Sequence, residues 1–186
     1  MSAGTLLKYV YLAYLSRPDA DRALYRAIHR LRPKAMVEIG IGRAVRTRRM
    51  IDLARVYQPA DELRYTGIDL FEARSADAPG LPLKAAHTLL KSLSPKVRLI
   101  PGDPYSALTR AANTLLGTDL LIISAGHDPE SLARAWFYVP RMIHESSHVF
   151  VEEPGPKPGQ TLFRLVPREE IEQRAATQQR STRRAA

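Results

Sequence analysis

Short runs of apolar, often β-branched residues alternate with helix-patterned stretches five times along this chain. No other feature constrains its fold as strongly. The runs are Ala35–Ile39, Arg64–Asp69, Val97–Ile100, Asp119–Ser124 and Ser147–Val151. Helical spacing fills the intervals: Met50, Leu53, Ala54 and Tyr57 after the first run, then Ala85, Leu89 and Leu90, then Ser106–Leu116, then Pro129–Ile143. Strands that return through a helix pair in parallel, because a parallel connection needs a long crossover. The expected fold is therefore α/β: a doubly wound, mostly parallel sheet with helices on both faces. Two further helices precede the sheet. One spans Thr5–Leu15; the other follows Ser16-Arg17-Pro18-Asp19, carries Leu24, Ile28 and Leu31, and stops at Pro33.

At 186 residues the chain is one domain with room for a core. The organisation expected is a domain over 1–172, with N-terminal helices in 1–33 and the sheet in 34–166. Thr161–Val166 is a candidate extra strand, and a basic polar tail over 173–186 is expected to be disordered or a frayed helix. The chain has no cysteine, which removes disulfides and thiolate metal sites. No run is long and apolar enough to span a bilayer. The apolar stretch Leu6–Leu15 lacks the flanks of a secretion signal, so a cytoplasmic protein is expected. The formal net charge of +9 favours anionic contacts, but there is no nucleic-acid recognition motif. Nucleic acid is expected to bind only non-specifically, through Arg180, Arg183 and Arg184. Tyr9, Tyr11 and Tyr14 on the first helix are candidates for a homodimer contact.

In a sheet of this kind ligands sit outside the carboxyl ends of the strands, near the switch in strand order. The first strand breaks into Glu38-Ile39-Gly40-Ile41-Gly42, a glycine turn ahead of a helix. Gly40 and Gly42 allow close approach of backbone to a ligand, and an acid near that turn suits an ammonium group better than a pyrophosphate. The second strand ends at Asp69, placed to accept from a ribose. The third ends at Pro101-Gly102-Asp103, the fourth at Ser124 with His127 beyond it, and the fifth at Glu152-Glu153.

Glu38-Ile39-Gly40-Ile41-Gly42, Gly67-Ile68-Asp69 and Gly102-Asp103, in this order and spacing, resemble the class I S-adenosylmethionine-dependent methyltransferases across about residues 35–153. The resemblance implies a Rossmann-like fold and S-adenosylmethionine as cofactor. Glu38 and Gly40 would lie near its methionine part, with Gly42 in the same turn. Asp69 would bind its ribose, Asp103 would lie near the adenine, and Ser124 would stand at the end of the fourth strand. The pattern is most similar to the cephalosporin-hydroxylase-type and catechol-type O-methyltransferases. In that branch the fourth strand commonly ends Ile-Asp-Gly-Asp-His-Ser-Tyr-Glu. Here it is Ile123-Ser124-Ala125-Gly126-His127-Asp128-Pro129-Glu130, which keeps His127 and Glu130 and replaces both acids. The usual fold ends in a sixth and seventh strand, for which there is hardly room.

The first of the missing acids is a metal ligand in metal-dependent members. Glu152 and Glu153 alone make a poor oxygen shell for a hard cation, even with Asp128 as a substitute, so no metal is expected. His127 is the candidate general base by residue type. Each acid also has a plainer reading: Glu38 as a helix cap, Asp69 and Asp103 as turn residues. Arg43 follows the turn, where it either crowds the cofactor or grips an acidic substrate. Two function classes follow. One is methyl transfer from S-adenosylmethionine to a small-molecule acceptor without a metal. The other is a catalytically degenerate methyltransferase-like module that binds or assembles.

Overall fold

The computed structural model describes residues 3–59, 61–75, 77–94 and 96–185, with backbone alone for 3 and 180–185. Six strands form one sheet: β1 (Ala35–Ile39), β2 (Arg64–Asp69), β3 (Val97–Pro101), β4 (Thr118–Ile123), β5 (Ile143–Pro154) and β6 (Thr161–Leu165). Their order is β3-β2-β1-β4-β5-β6. β1 to β5 pair in parallel and β6 turns back antiparallel on β5. A single antiparallel strand thus closes the C-terminal side.

All five residues of β1 are buried, which fits a central strand covered on both faces. Strand alternation divides the core in two. Met36, Tyr65, Leu120, Ile122 and Phe150 face one layer. That layer is made by α2 (Arg22–Leu31), α3 (Val45–Ala54) and α4 (Leu83–Lys91). Val37, Ile39, Ile68, Leu121, Ile123 and Val149 face the other. It holds α5 (Pro104–Ala111), α6 (Pro129–Ala135) and α7 (Val139–Met142). By this alternation Glu38 shares the side of Met36, under α3.

The N-terminal helix is present as α1 (Ala3–Val10), continued by a π-helical segment, Tyr11–Leu15. Its Leu12 and Ala13 are buried, while Leu7, Tyr11, Tyr14 and Leu15 are exposed. Tyr9 stacks on His29 with ring centroids 3.8 Å apart, and His29 Nδ1 lies 2.6 Å from the Tyr57 hydroxyl, so the helix is pinned to α2 and to the turn after α3.

Two segments depart from the sequence reading. The helix expected over 129–143 is broken into α6, a 3₁₀ turn Trp136–Tyr138 and α7. Pro140 lacks an amide hydrogen and so cannot continue a regular ladder there. β5 then begins at Ile143, four residues earlier than expected. Of the two expectations for the C-terminal segment, a disordered tail or a frayed helix, a helix is present and starts earlier than residue 173: α8 runs over Arg168–Ala185. Ile171, 2% exposed, anchors it in the core, and the Arg174 guanidinium sits 4.7 Å over the Trp136 ring. Arg168–Glu172 and Glu170–Arg174 pairs support it at i,i+4 spacing. One buried apolar residue was too weak a periodic signal to decide between a helix and a disordered tail. The side chains of Arg180, Arg183 and Arg184 lie outside the described residues. Among the described residues no helix is long and apolar enough to cross a membrane.

Candidate active site

β2 follows β1 on one side and β4 flanks it on the other, so the strand order switches at β1. A cleft of about 450 Å³ opens at this point, on the carboxyl edge of the sheet. Gly40, Gly42, Asp69, Ser124 and His127 line it, together with Asp21, Arg43, Arg46, Arg74 and Glu152. Its volume falls within the range of small-molecule sites, roughly 300–1,000 Å³.

The glycine turn is required by geometry. Gly40 has φ +88° and Gly42 has φ +54°, in the left-handed region. A Cβ on Gly40 would lie 2.9 Å from both His127 Nε2 and Ser124 Cβ. The Gly42 amide donates to Asp69 Oδ2 at 2.9 Å, which ties the turn to the end of β2. The other oxygen, Asp69 Oδ1, accepts from the Leu70 amide at 2.7 Å and from Arg74 Nη2. A carboxylate has about four acceptor sites, so Asp69 keeps about one for a ligand.

Glu38 behaves differently from the sequence expectation. Its side chain is 0% exposed and does not line the cleft. It accepts four hydrogen bonds: Arg46 Nε at 2.9 Å, Arg46 Nη2 at 2.8 Å, Thr47 Oγ1 at 2.7 Å and Tyr65 Oη at 2.6 Å. All its acceptor capacity is used inside the protein. Burial, and then the Glu38 charge, push the Tyr65 hydroxyl well above its ordinary range.

The residue that meets the cleft above Glu38 is Arg46, in the first turn of α3. Its Nη2 also donates to Ser124 Oγ at 2.5 Å and to the Gly40 carbonyl at 3.2 Å, and its guanidinium lies 5.0 Å over the Phe163 ring. Burial acts to lower its pKa, but the charges of Glu38 and Asp21 raise it further, so Arg46 is a fixed cation. Its Nη1 lies 3.7 Å from Asp21 Oδ1 and 4.0 Å from Glu152 Oε2. Asp21 comes from a 3₁₀ turn before α2, Asp19–Asp21, and no pattern in the sequence marked it. Its carboxyl is pushed up to about 6, chiefly by burial; Arg46 opposes this and Glu38 and Glu152 reinforce it.

Glu152 is held by the Ala125 amide at 3.1 Å and Thr161 Oγ1 at 2.9 Å. Glu153 points to the other face, as its neighbour in a strand must, and pairs with Arg164. The two glutamates therefore do not form one site. Asp103 does not line the cleft either. It is the N-cap of α5, accepting from the Tyr105 and Ser106 amides at 3.0 and 3.1 Å and from the Ser106 and Ser131 hydroxyls. Burial raises its pKa, but these hydrogen bonds together bring it down to about 2.

His127 stands half-buried over Gly40, its Nε2 3.3 Å from the Ile39 carbonyl. With Nε2 donating there, Nδ1 carries the free lone pair. Arg43 lies at the mouth, exposed. Among the described residues no group of three or more His, Cys, Asp or Glu is arranged to hold a metal ion.

No protein-family model matches the chain, and no curated protein matches it. Solved structures do. TomG from Streptomyces achromogenes, an O-methyltransferase involved in tomaymycin synthesis and solved in complex with S-adenosylmethionine, is 13% identical at a TM-score of 0.52; the match covers 97% of this chain and 78% of that one. A candidate caffeoyl-CoA O-methyltransferase from Staphylococcus aureus is 14% identical at 0.52, over 81% and 66%. A candidate O-methyltransferase from Nostoc punctiforme PCC 73102 is 12% identical at 0.51, over 89% and 45%, so this chain spans less than half of that protein. These similarities establish the fold: the chain has the Rossmann-like α/β architecture of S-adenosylmethionine-dependent O-methyltransferases.

Proposed function

We propose that the protein is an S-adenosylmethionine-dependent methyltransferase acting on a small-molecule acceptor without a metal. The observation that carries this reading is the cleft at the switch point, with Gly40, Gly42, Asp69, Ser124 and His127 on its walls. The residues present fit the cofactor's chemistry. Gly40 has no Cβ to meet Ser124 and His127, so the turn packs close against them, Asp69 retains acceptor capacity, and Asp21, Asp69 and Glu152 match Arg43, Arg46 and Arg74 along the cleft, a balance that suits a ligand carrying both signs of charge. When bound, S-adenosylmethionine supplies an electrophilic methyl group on a sulfonium.

This chain's residues then have simple tasks. The glycine turn and Asp69 bind and orient, and alignment alone is a large part of a methyl-transfer barrier. His127 accepts a proton at Nδ1 from an acceptor hydroxyl or amine. The metal-free assignment rests on donor chemistry: Ser124 and Gly126 replace the fourth-strand acids, and Glu153 is committed to Arg164 on the opposite face.

One observation favours a second reading, the degenerate binding module. Arg74 already pairs with Asp69, the acid that would take the ribose. Calorimetry with S-adenosylmethionine and its demethylated product decides between the two. Methyltransferase function requires binding by the wild type and its loss in Asp69→Ala. Absence of heat at millimolar ligand in both proteins refutes it and supports the degenerate module. We also propose that the exposed apolar residues Leu7, Tyr11, Tyr14 and Leu15 form a homodimer surface. Sedimentation should then give a dimer that Leu7→Ser with Tyr11→Ser converts to monomer; a monomeric wild type at high concentration refutes this.

A further inference from the structure

Asp69 has too few acceptor sites left for a vicinal diol. Its carboxylate accepts from the Gly42 amide at 2.9 Å, from the Leu70 amide at 2.7 Å and from Arg74 Nη2. Of about four acceptor sites about one remains, and two ribose hydroxyls need two. The two amides are fixed by the backbone, one in the glycine turn and one next to Asp69 in the chain. Arg74 is the one donor of the three that can leave by rotating a side chain. It is 13% exposed and lines the cleft beside Asp69, so its way to solvent runs through the cleft.

The chain also provides a seat for that guanidinium. Gly80 lies outside the left-handed region, so its backbone conformation does not call for glycine. What glycine supplies there is room. A Cβ on Gly80 would overlap Arg74 Nη1 and Cζ and lie 2.6 Å from Nη2, and Arg74 supplies all three of its nearest atoms. The backbone next to the seat is tied down. The Leu81 amide donates to the Gly42 carbonyl at 3.1 Å, and the Leu83 amide donates to Glu72 Oε1 at 2.8 Å. Arg74 is therefore clasped between Gly80 and Asp69 rather than solvated.

We infer that the Arg74–Asp69 contact is autoinhibitory: seated on Gly80, the guanidinium holds the acceptor site that a ligand's vicinal diol needs, and such a ligand binds by displacing it. This rests on the cofactor reading above and goes beyond it, because the pair becomes a latch that opens rather than the mark of a dead site. The exchange replaces a charge-assisted hydrogen bond at Asp69 with hydroxyl donors that carry no charge, so Arg74 weakens every ligand that uses the diol. A ligand without the diol leaves the latch closed and is unaffected by it.

The test is calorimetry on the full chain with S-adenosylhomocysteine and its 2′,3′-dideoxy counterpart. Two variants open the latch by different means. Arg74→Ala removes the guanidinium; Gly80→Ala keeps its charge and fills its seat, which the flexible end of an arginine can vacate. Each should bind S-adenosylhomocysteine about tenfold more tightly than wild type, the scale of one charge-assisted hydrogen bond, and bind the dideoxy ligand as wild type does. The double variant should bind no more tightly than either single one, since both act on one contact. A gain in affinity cannot come from a misfolded protein. Unchanged or weaker S-adenosylhomocysteine binding in Arg74→Ala overturns the inference and leaves the cofactor reading intact. An equal gain for the two ligands overturns it too, since the effect would then be one of net charge or of a wider cleft. If neither wild type nor variants bind either ligand, the cofactor reading fails and this inference with it.

Discussion

Asp21 offers a test of the cleft's electrostatics that needs no ligand. A buried carboxyl moved from an ordinary 3.8 to about 6 binds its proton more tightly in the folded chain than in the unfolded one. Stability then falls as pH rises between those two values, because the folded state holds the extra proton. The full cost is present above pH 6 and amounts to about 3 kcal/mol, taking roughly 1.4 kcal/mol per unit. Asp21→Asn keeps the shape and removes the titration. Urea denaturation of both proteins from pH 4 to pH 7.5 isolates this group, since the other titrating residues are common to the pair. The variant should gain on wild type by up to about 3 kcal/mol across the window, most steeply between pH 4 and 6. A difference that is flat with pH would refute the argument. So would a variant that loses ground as pH rises, for that sign would mean the attraction of Arg46 outweighs burial.

Three further outcomes follow from the same cluster. Arg46→Met leaves Glu38 buried without its ion-pair partner and should cost about 3–5 kcal/mol in urea melts; adding Glu38→Gln should recover a large part of the loss, and strict additivity of the two substitutions would contradict the coupling. Tyr65→Phe removes a 2.6 Å hydrogen bond to a buried carboxylate and should cost about 1.5–3 kcal/mol, with a change within error counting against Glu38 being charged. Gly40→Ala forces a side chain into φ +88° and against Ser124 and His127; it should cost at least about 1–2 kcal/mol by thermal melt, and an unchanged Tm would mean that the turn relaxes freely.

Hydropathy made much of this fold legible. The five parallel strands were read within a few residues because each is a short apolar run bounded by turn residues, and the turn at Gly40 and Gly42 was visible from its glycines. The same reasoning left the C-terminal segment open between a disordered tail and a frayed helix, because α8 carries few apolar residues and is held by Ile171, by Arg174 over Trp136 and by ion pairs. It also misjudged where the helix of residues 129–143 breaks, although Pro140 was the available signal.

The site divides along the same line. Asp69, Ser124 and His127 could be placed at the cleft because they stand at or just beyond the ends of strands whose direction was known. Glu38 could not be judged from its neighbours alone, although its parity with Met36 in a strand buried on both faces was a hint that it points into the core. Sequence alone thus determined the sheet, the direction of its five parallel strands and the edge at which the cleft opens, since these follow from local periodicity. Only the tertiary structure decided which charges meet there. Arg46 touches Glu38, Asp21, Ser124 and Glu152, residues from four separate segments, and no local pattern encodes contacts made across that distance in the chain.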